Sequence, residues 1–103
     1  MSHTVIPDVT EILDIPDDGT LSKVLYRDDR IRVVGFAFDA GQELTEHTAA
    51  VPAVLQVVSG RFKVTLGDDE VVVGPEAWVH MDAHLQHAVV ALEPSVLLLT
   101  LLR

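Results

Sequence analysis

Five histidines hold most of the chemistry open to this chain: His3, His47, His80, His84 and His87. Cysteine is absent, which excludes thiolate metal ligands, thiol nucleophiles and disulfides together. An imidazole titrates near neutral pH and binds divalent transition metals. Acid–base catalysis, metal ligation and hydrogen bonding to a ligand are therefore the chemistries within reach. Three of the five fall in W-V-H-M-D-A-H-L-Q-H (78–87), with His84 and His87 three apart. His47 stands by itself, just ahead of the apolar run in E-H-T-A-A-V-P-A-V-L-Q-V-V-S-G (46–60). The residues two and six places after it, Ala49 and Ala53, offer no donor atoms. His3 reads as a terminal residue outside any site.

For these histidines to act together, a scaffold must bring them to one place. Turn signals such as Pro16-Asp17-Asp18-Gly19, Asp39-Ala40-Gly41, Ser59-Gly60, Gly67-Asp68-Asp69 and Gly74-Pro75 recur along the chain. Between them lie short segments rich in Val, Leu, Ile, Phe and Thr, at 22–27, 31–38, 54–58, 62–66, 71–73, 77–81, 88–92 and 96–101. This pattern predicts an all-β sandwich or barrel. No segment predicts a long helix, and 9–15 fits a helical turn or an edge strand. A length of 103 residues, 49% of them hydrophobic, fits one domain with one core. With no linker or repeat, 1–103 reads as a single domain, an arm over 1–21 and a barrel over 22–103. The segment S-V-L-L-L-T-L-L (95–102) is apolar on both faces. Such a strand is central or covered by a partner, which favours a homodimer.

Sixteen acidic against seven basic residues give a net charge of -9. A field of that sign repels phosphate backbones and anionic bilayers, so nucleic-acid and membrane partners are not expected. The start M-S-H-T-V-I-P-D has neither the basic residues nor the apolar run of a signal peptide, and a soluble, cytoplasmic protein is expected.

The order Gly41, five residues, His47, one residue, Ala49, three residues, Ala53, six residues, Gly60 resembles the first signature of the cupins. In that signature two histidines and a carboxylate bind a metal; here only the first histidine is kept, with alanine at the other two positions. Asp82-Ala83-His84-Leu85-Gln86-His87 resembles the second signature and keeps its final histidine as His87, while Ala91 replaces the usual polar residue. The resemblance covers roughly residues 32 to 101. It implies a double-stranded β-helix (jelly-roll) barrel with His47 and His87 paired at its mouth. The wording E-H-T-A with W-V-H-M-D-A-H-L-Q-H-A-V also resembles a subgroup of small bacterial RmlC-like cupins in which His-Thr-Ala replaces His-x-His.

On such a barrel, residues two apart share a strand face. If His47 faces inward, Ala49, Val51, Ala53, Leu55 and Val57 follow it, and Val89 and Ala91 follow His87. The expected site is an apolar cup with two histidines at its mouth, lined by Val51, Leu55 and Val89. Gln56, an odd number of residues from His47, should point away from it. The same parity puts Trp78 and His80 opposite Ala77, Val79 and Met81. Metal-ligand candidates are His47 and His87, completed by His84 or His80, and Glu43 could lean over the mouth.

Three functions follow from this resemblance. A metal-dependent oxygenase or isomerase would hold one divalent Fe, Mn, Ni or Zn ion on His47, His87 and His84 or His80. A binding module would hold a small apolar ligand with no metal at all. A metal-free acid–base pair, as in sugar-nucleotide epimerase relatives, would need basic residues at the mouth. The candidates for that are Arg27, Arg30, Arg32, Arg61 and Lys63, mostly beside turns.

Overall fold

The computed structural model describes residues 2–103, except the side chains of Glu46 and His47. After a short 3-10 turn at Val9–Ile12 come nine strands: β1 (Thr20–Arg27), β2 (Ile31–Phe38), β3 (Glu43–His47), β4 (Ala53–Ser59), β5 (Phe62–Leu66), β6 (Asp69–Val73), β7 (Trp78–Met81), β8 (His87–Ala91) and β9 (Ser95–Leu102). They form a five-stranded sheet in the order β1-β2-β9-β4-β7 and a four-stranded sheet in the order β3-β8-β5-β6, with every pairing antiparallel. No helix among the described residues is long and apolar enough to cross a membrane.

Alternation sets which face of each strand meets the core. In β4, Ala53, Leu55 and Val57 are buried and Gln56 is exposed; in β8, His87, Val89 and Ala91 are buried. Ala53, Leu55, Val57, Val89 and Ala91 pack with Phe38, Phe62, Val64, Met81 and Leu97 into one cluster between the sheets. Phe38 and Phe62 meet edge-to-face with ring centroids 5.3 Å apart, an arrangement favoured by the ring quadrupoles. They mark the closed end of the barrel, where the turns at 39–42 and 60–61 lie. Gly60, at φ +80, has no room for a side chain there, because a Cβ would run into Ser95 and the Pro94 carbonyl.

The other end carries the turns at 28–30, 67–68 and 82–86 and the crossover at 48–52. Gly67 adopts φ +60 in the two-residue connection between Leu66 and Asp69, which are cross-strand partners. Backbone hydrogen bonds tie these loops to one another. The amide of His84 donates to Ala49 O (2.7 Å), that of Gly67 to Gln86 O (2.8 Å), and that of Leu102 to Pro52 O (2.9 Å).

The N-terminal arm lies on the outside of the five-stranded sheet. Leu13 is buried there with Ala37 and Val96, beside Leu21, Val58 and Leu98. Gly35 makes the contact possible, since a Cβ on it would sit 2.6 Å from a Leu13 methyl. Two sequence expectations change. The Glu43–His47 strand was not foreseen, and the face-sharing run from His47 to Val57 is broken. At 48–52 the chain leaves one sheet for the other, and Pro52 has no amide to give to a ladder.

Candidate functional site at the barrel mouth

His87 opens β8 and is only 5% exposed. Its Nδ1 lies 2.9 Å from Leu85 O. A carbonyl only accepts, so in the neutral ring Nδ1 carries the proton and Nε2 is the basic nitrogen. That is the atom with which such a ring would ligate a metal or take up a proton.

The backbone of His47 is the cross-strand partner of His87. A register shift between Leu44 and His47 creates this pairing. Three residues along β3, from Leu44 to His47, span two along β8, from Val89 to His87. A bulge of this kind re-aims a strand next to a site. The His47 side chain lies outside the described residues, so the expected role of that imidazole is carried by backbone register alone.

The remaining candidates are dispersed. Leu55 (2% exposed) and Val89 (2%) line the space between the sheets as expected. Val51 lies in the crossover rather than on a strand, so strand parity from His47 does not reach it. His84 is exposed in a left-handed conformation (φ +67), and its amide is committed to Ala49. His80 is exposed on the outer face, stacked on Trp78 with centroids 6.4 Å apart and 4.0 Å from Asp82 Oδ1. The strand parity that sets Trp78 and His80 opposite Met81 is found, with Met81 1% exposed. Glu43 pairs with Val90 near the closed end, so it does not lean over the mouth. Among the described residues, no three His, Cys, Asp or Glu side chains form a group able to hold a metal ion.

The interior is open toward the mouth. Leu99 and Leu101 lie on central strand β9, whose cross-strand neighbours are on β2 and β4, and both pack against the inner cluster. Both nevertheless keep partial solvent exposure, as do Leu44, Leu66 and Leu85 around them. Inward-facing residues of a central strand can stay wet only where the sheets do not close on each other.

Two of the five basic residues that the sequence offered for the mouth, Arg27 and Arg32, lie on neighbouring strands at this end. Arg32 pairs with Leu101 on one side and Arg27 on the other, so the register puts both arginines on the inward face. A different feature, a cavity of about 410 Å³, lies outside the barrel beneath the arm, lined by residues including Ile6, Val9, Leu25, Tyr26 and Leu98. No spacing pattern in the sequence announced it, because the arm's path over the sheet depends on the Leu13–Gly35 contact.

No protein-family model and no curated protein matches the chain. Solved structures do. An RmlC-like cupin from Shewanella frigidimarina superposes with a TM-score of 0.80 at 26% identity, covering 98% of this chain and 90% of that one. KdgF from Halomonas superposes at 0.77 and 27% identity, covering 87% and 84%. A cupin superfamily protein from Desulfitobacterium hafniense reaches 0.87 over 99% and 93%, at an identity of 20% that speaks for the fold alone. The chain thus has the double-stranded β-helix fold, and its structural neighbours are cupin superfamily and RmlC-like cupin proteins.

Proposed function

We propose that this small cupin binds a small molecule in its barrel, entering at the mouth and met there by His47 and His87. The observation that carries the reading is the direct cross-strand pairing of those two positions beside a partly solvated, apolar interior. A pocket lined by apolar side chains with few polar groups suits a ligand that is mostly hydrocarbon, oriented by hydrogen bonds at one end. The His-Thr-Ala wording is, in this reading, the normal state of its subgroup.

A divalent transition metal is the ion that two neutral imidazoles would select. The described residues do not supply the third protein ligand usual in catalytic sites. The homodimer expected from the sequence belongs to the same proposal. Its surface would be the outer face of the five-stranded sheet, where Trp78 is 61% exposed beside Gln56 and His80.

The test follows methyl resonances of Leu55, Leu99 and Leu101 during titration with hexanol, with Leu98 reporting on the outer groove. Saturable shifts at the three inner leucines, weakened in a folded His47→Ala/His87→Ala variant, support the reading. Shifts confined to Leu98, or none, overturn it. Elemental analysis of untagged protein and of His47→Ala decides in parallel whether an ion is resident.

A further inference from the structure

We infer that Arg27 and Arg32 form an anion-binding subsite at the barrel mouth, and that the ligand of the cup is a small organic carboxylate with an apolar body. The inference rests on the binding cup proposed above and names the class of molecule it takes.

Three observations converge on it. The first is position. Arg32 is the cross-strand partner of Leu101, and Leu101 partners Ala53, so arginine and alanine share one row across the five-stranded sheet. That row lies at the open end, where Ala53 replaces the carboxylate of the resembled signature. Phe36 and Phe38, four and six residues further along β2, pack into the inner cluster, which fixes the inward face of the strand.

The second is an unmet hydrogen-bonding group. The Nε of Arg32 is buried with no partner among the described residues. A guanidinium keeps its charge at any relevant pH and presents its N–H groups in a fixed fork. Buried donors are nearly always paired, and an orphan calls for a reason. A ligand oxygen bound at the mouth supplies one.

The third is charge. Arg27 and Arg32 stand directly opposite each other on adjacent strands. Like charges in that relation repel. The chain has sixteen acidic residues with which to neutralise seven basic ones. Yet among the described residues the ion pairs are Lys63–Glu70 and His80–Asp82, and neither arginine takes part. The Asp28 carboxylate is close in sequence, but it is spent on the amides of Arg30 and Ile31 and on the Tyr26 hydroxyl. Two adjacent, uncompensated cations facing a cup in an acidic protein are what an anion would need.

Carboxylate suits the site better than phosphate. It matches the planar fork of one arginine with two parallel hydrogen bonds. Its single delocalised charge also costs less to desolvate beside Leu99 and Leu101 than a phosphate dianion would.

The experiment compares hexanoate with hexanol, read at the Leu99 and Leu101 methyls, in wild type, Arg32→Gln, Arg27→Gln and Arg32→Lys. Hexanoate is expected to bind at least tenfold more tightly than hexanol in wild type. Arg32→Gln should erase that preference and leave hexanol binding intact, while Arg32→Lys, which keeps the charge but not the fork, should fall between. Equal binding of hexanoate and hexanol, or an unchanged preference in Arg32→Gln, overturns the subsite and leaves the cup standing. Failure of both probes at the inner leucines overturns the cup and the subsite together. Tighter binding of inorganic phosphate than of hexanoate, in competition, overturns the carboxylate assignment.

Discussion

The amide of His84 donates to the carbonyl of Ala49 across 2.7 Å, joining the turn before His87 to the crossover after His47. This backbone hydrogen bond ties the two signature segments of the mouth directly to each other. It requires His84 to stay at φ +67, a region that disfavours side chains branched at Cβ. His84→Val should therefore lose about 1–2 kcal/mol, whereas His84→Gly stays within about 1 kcal/mol of wild type. Urea unfolding of the two variants checks this. Equal losses would mean the imidazole, and not the backbone, holds the turn.

The Leu13–Gly35 contact predicts a coupled pair. Gly35→Ala inserts a methyl where Leu13 already sits, and overpacking of this kind costs roughly 1–3 kcal/mol. Leu13→Ala removes a side chain only 2% exposed and should cost about 2–5 kcal/mol. In the double variant the inserted methyl occupies the vacated space, so its cost should fall short of the sum by about 1 kcal/mol. Strict additivity in a double-mutant cycle would show that the arm does not pack on Gly35.

Arg32→Met should not weaken the fold. It removes a repelling charge and an orphan donor and keeps most of the stem, so a gain of roughly 1 kcal/mol is expected. Thermal denaturation at low and high salt tests the point, with the gain smaller at high salt. A loss of stability would assign Arg32 a structural partner.

Ala53→Glu asks whether the mouth keeps the geometry of the resembled signature. Ala53 is 2% exposed, and a carboxyl there should cost roughly 2–3 kcal/mol without metal. If positions 47 and 87 lie within reach, Zn2+ or Ni2+ should return much of that loss by binding only the folded state. A melting temperature indifferent to both ions would detach Ala53 from the histidine pair.

Acid should weaken the turns at Asp28 and Asp39 in a defined direction. Backbone amides, those of Ile31 and Arg30 for Asp28 and of Asp18 and Ala40 for Asp39, hold each carboxyl below its usual value of 3.8. A depressed folded pKa contributes stability that is full above the unfolded value and lost as pH falls through the folded one. Asp28→Asn/Asp39→Asn should therefore unfold with a shallower pH dependence than wild type between about pH 4 and 2. Identical slopes would show that these hydrogen bonds do not distinguish the charged form.

Much of this was legible in the sequence where local rules decide. Turn residues bracketed most of the strands, and the resemblance named the barrel. Strand parity set Gln56, Trp78 and His80 on the outside. It failed where the chain changes sheets. Polar Glu-Leu-Thr-Glu-His gave no apolar alternation, so β3 went unseen, and the bulge before His47 shifts the register by one residue. Parity could not reach Val51 for the same reason, because five residues of crossover erase face memory. Arg32 was readable in principle from R-V-V-G-F-A-F, whose even positions lead to Phe36 and Phe38. What the sequence withheld was which face of β2 looked inward, and that follows only from pairing with β9, where Arg32 meets Leu101 from 69 residues away.

The position of β9 has a consequence for how the molecule comes into being. Last of the described strands in chain order, it lies in the middle of the five-stranded sheet, between β2 and β4. During synthesis from the N-terminus, those two strands must wait with open edges until residues 95–102 emerge, since neither has its central neighbour before then. Until β9 emerges, the facing edges of β2 and β4 lack their partner and are open to pairing with another chain. Shortening β9 by a few residues should damage the whole sheet rather than fray one border. The last of the described strands is the keystone of the sheet.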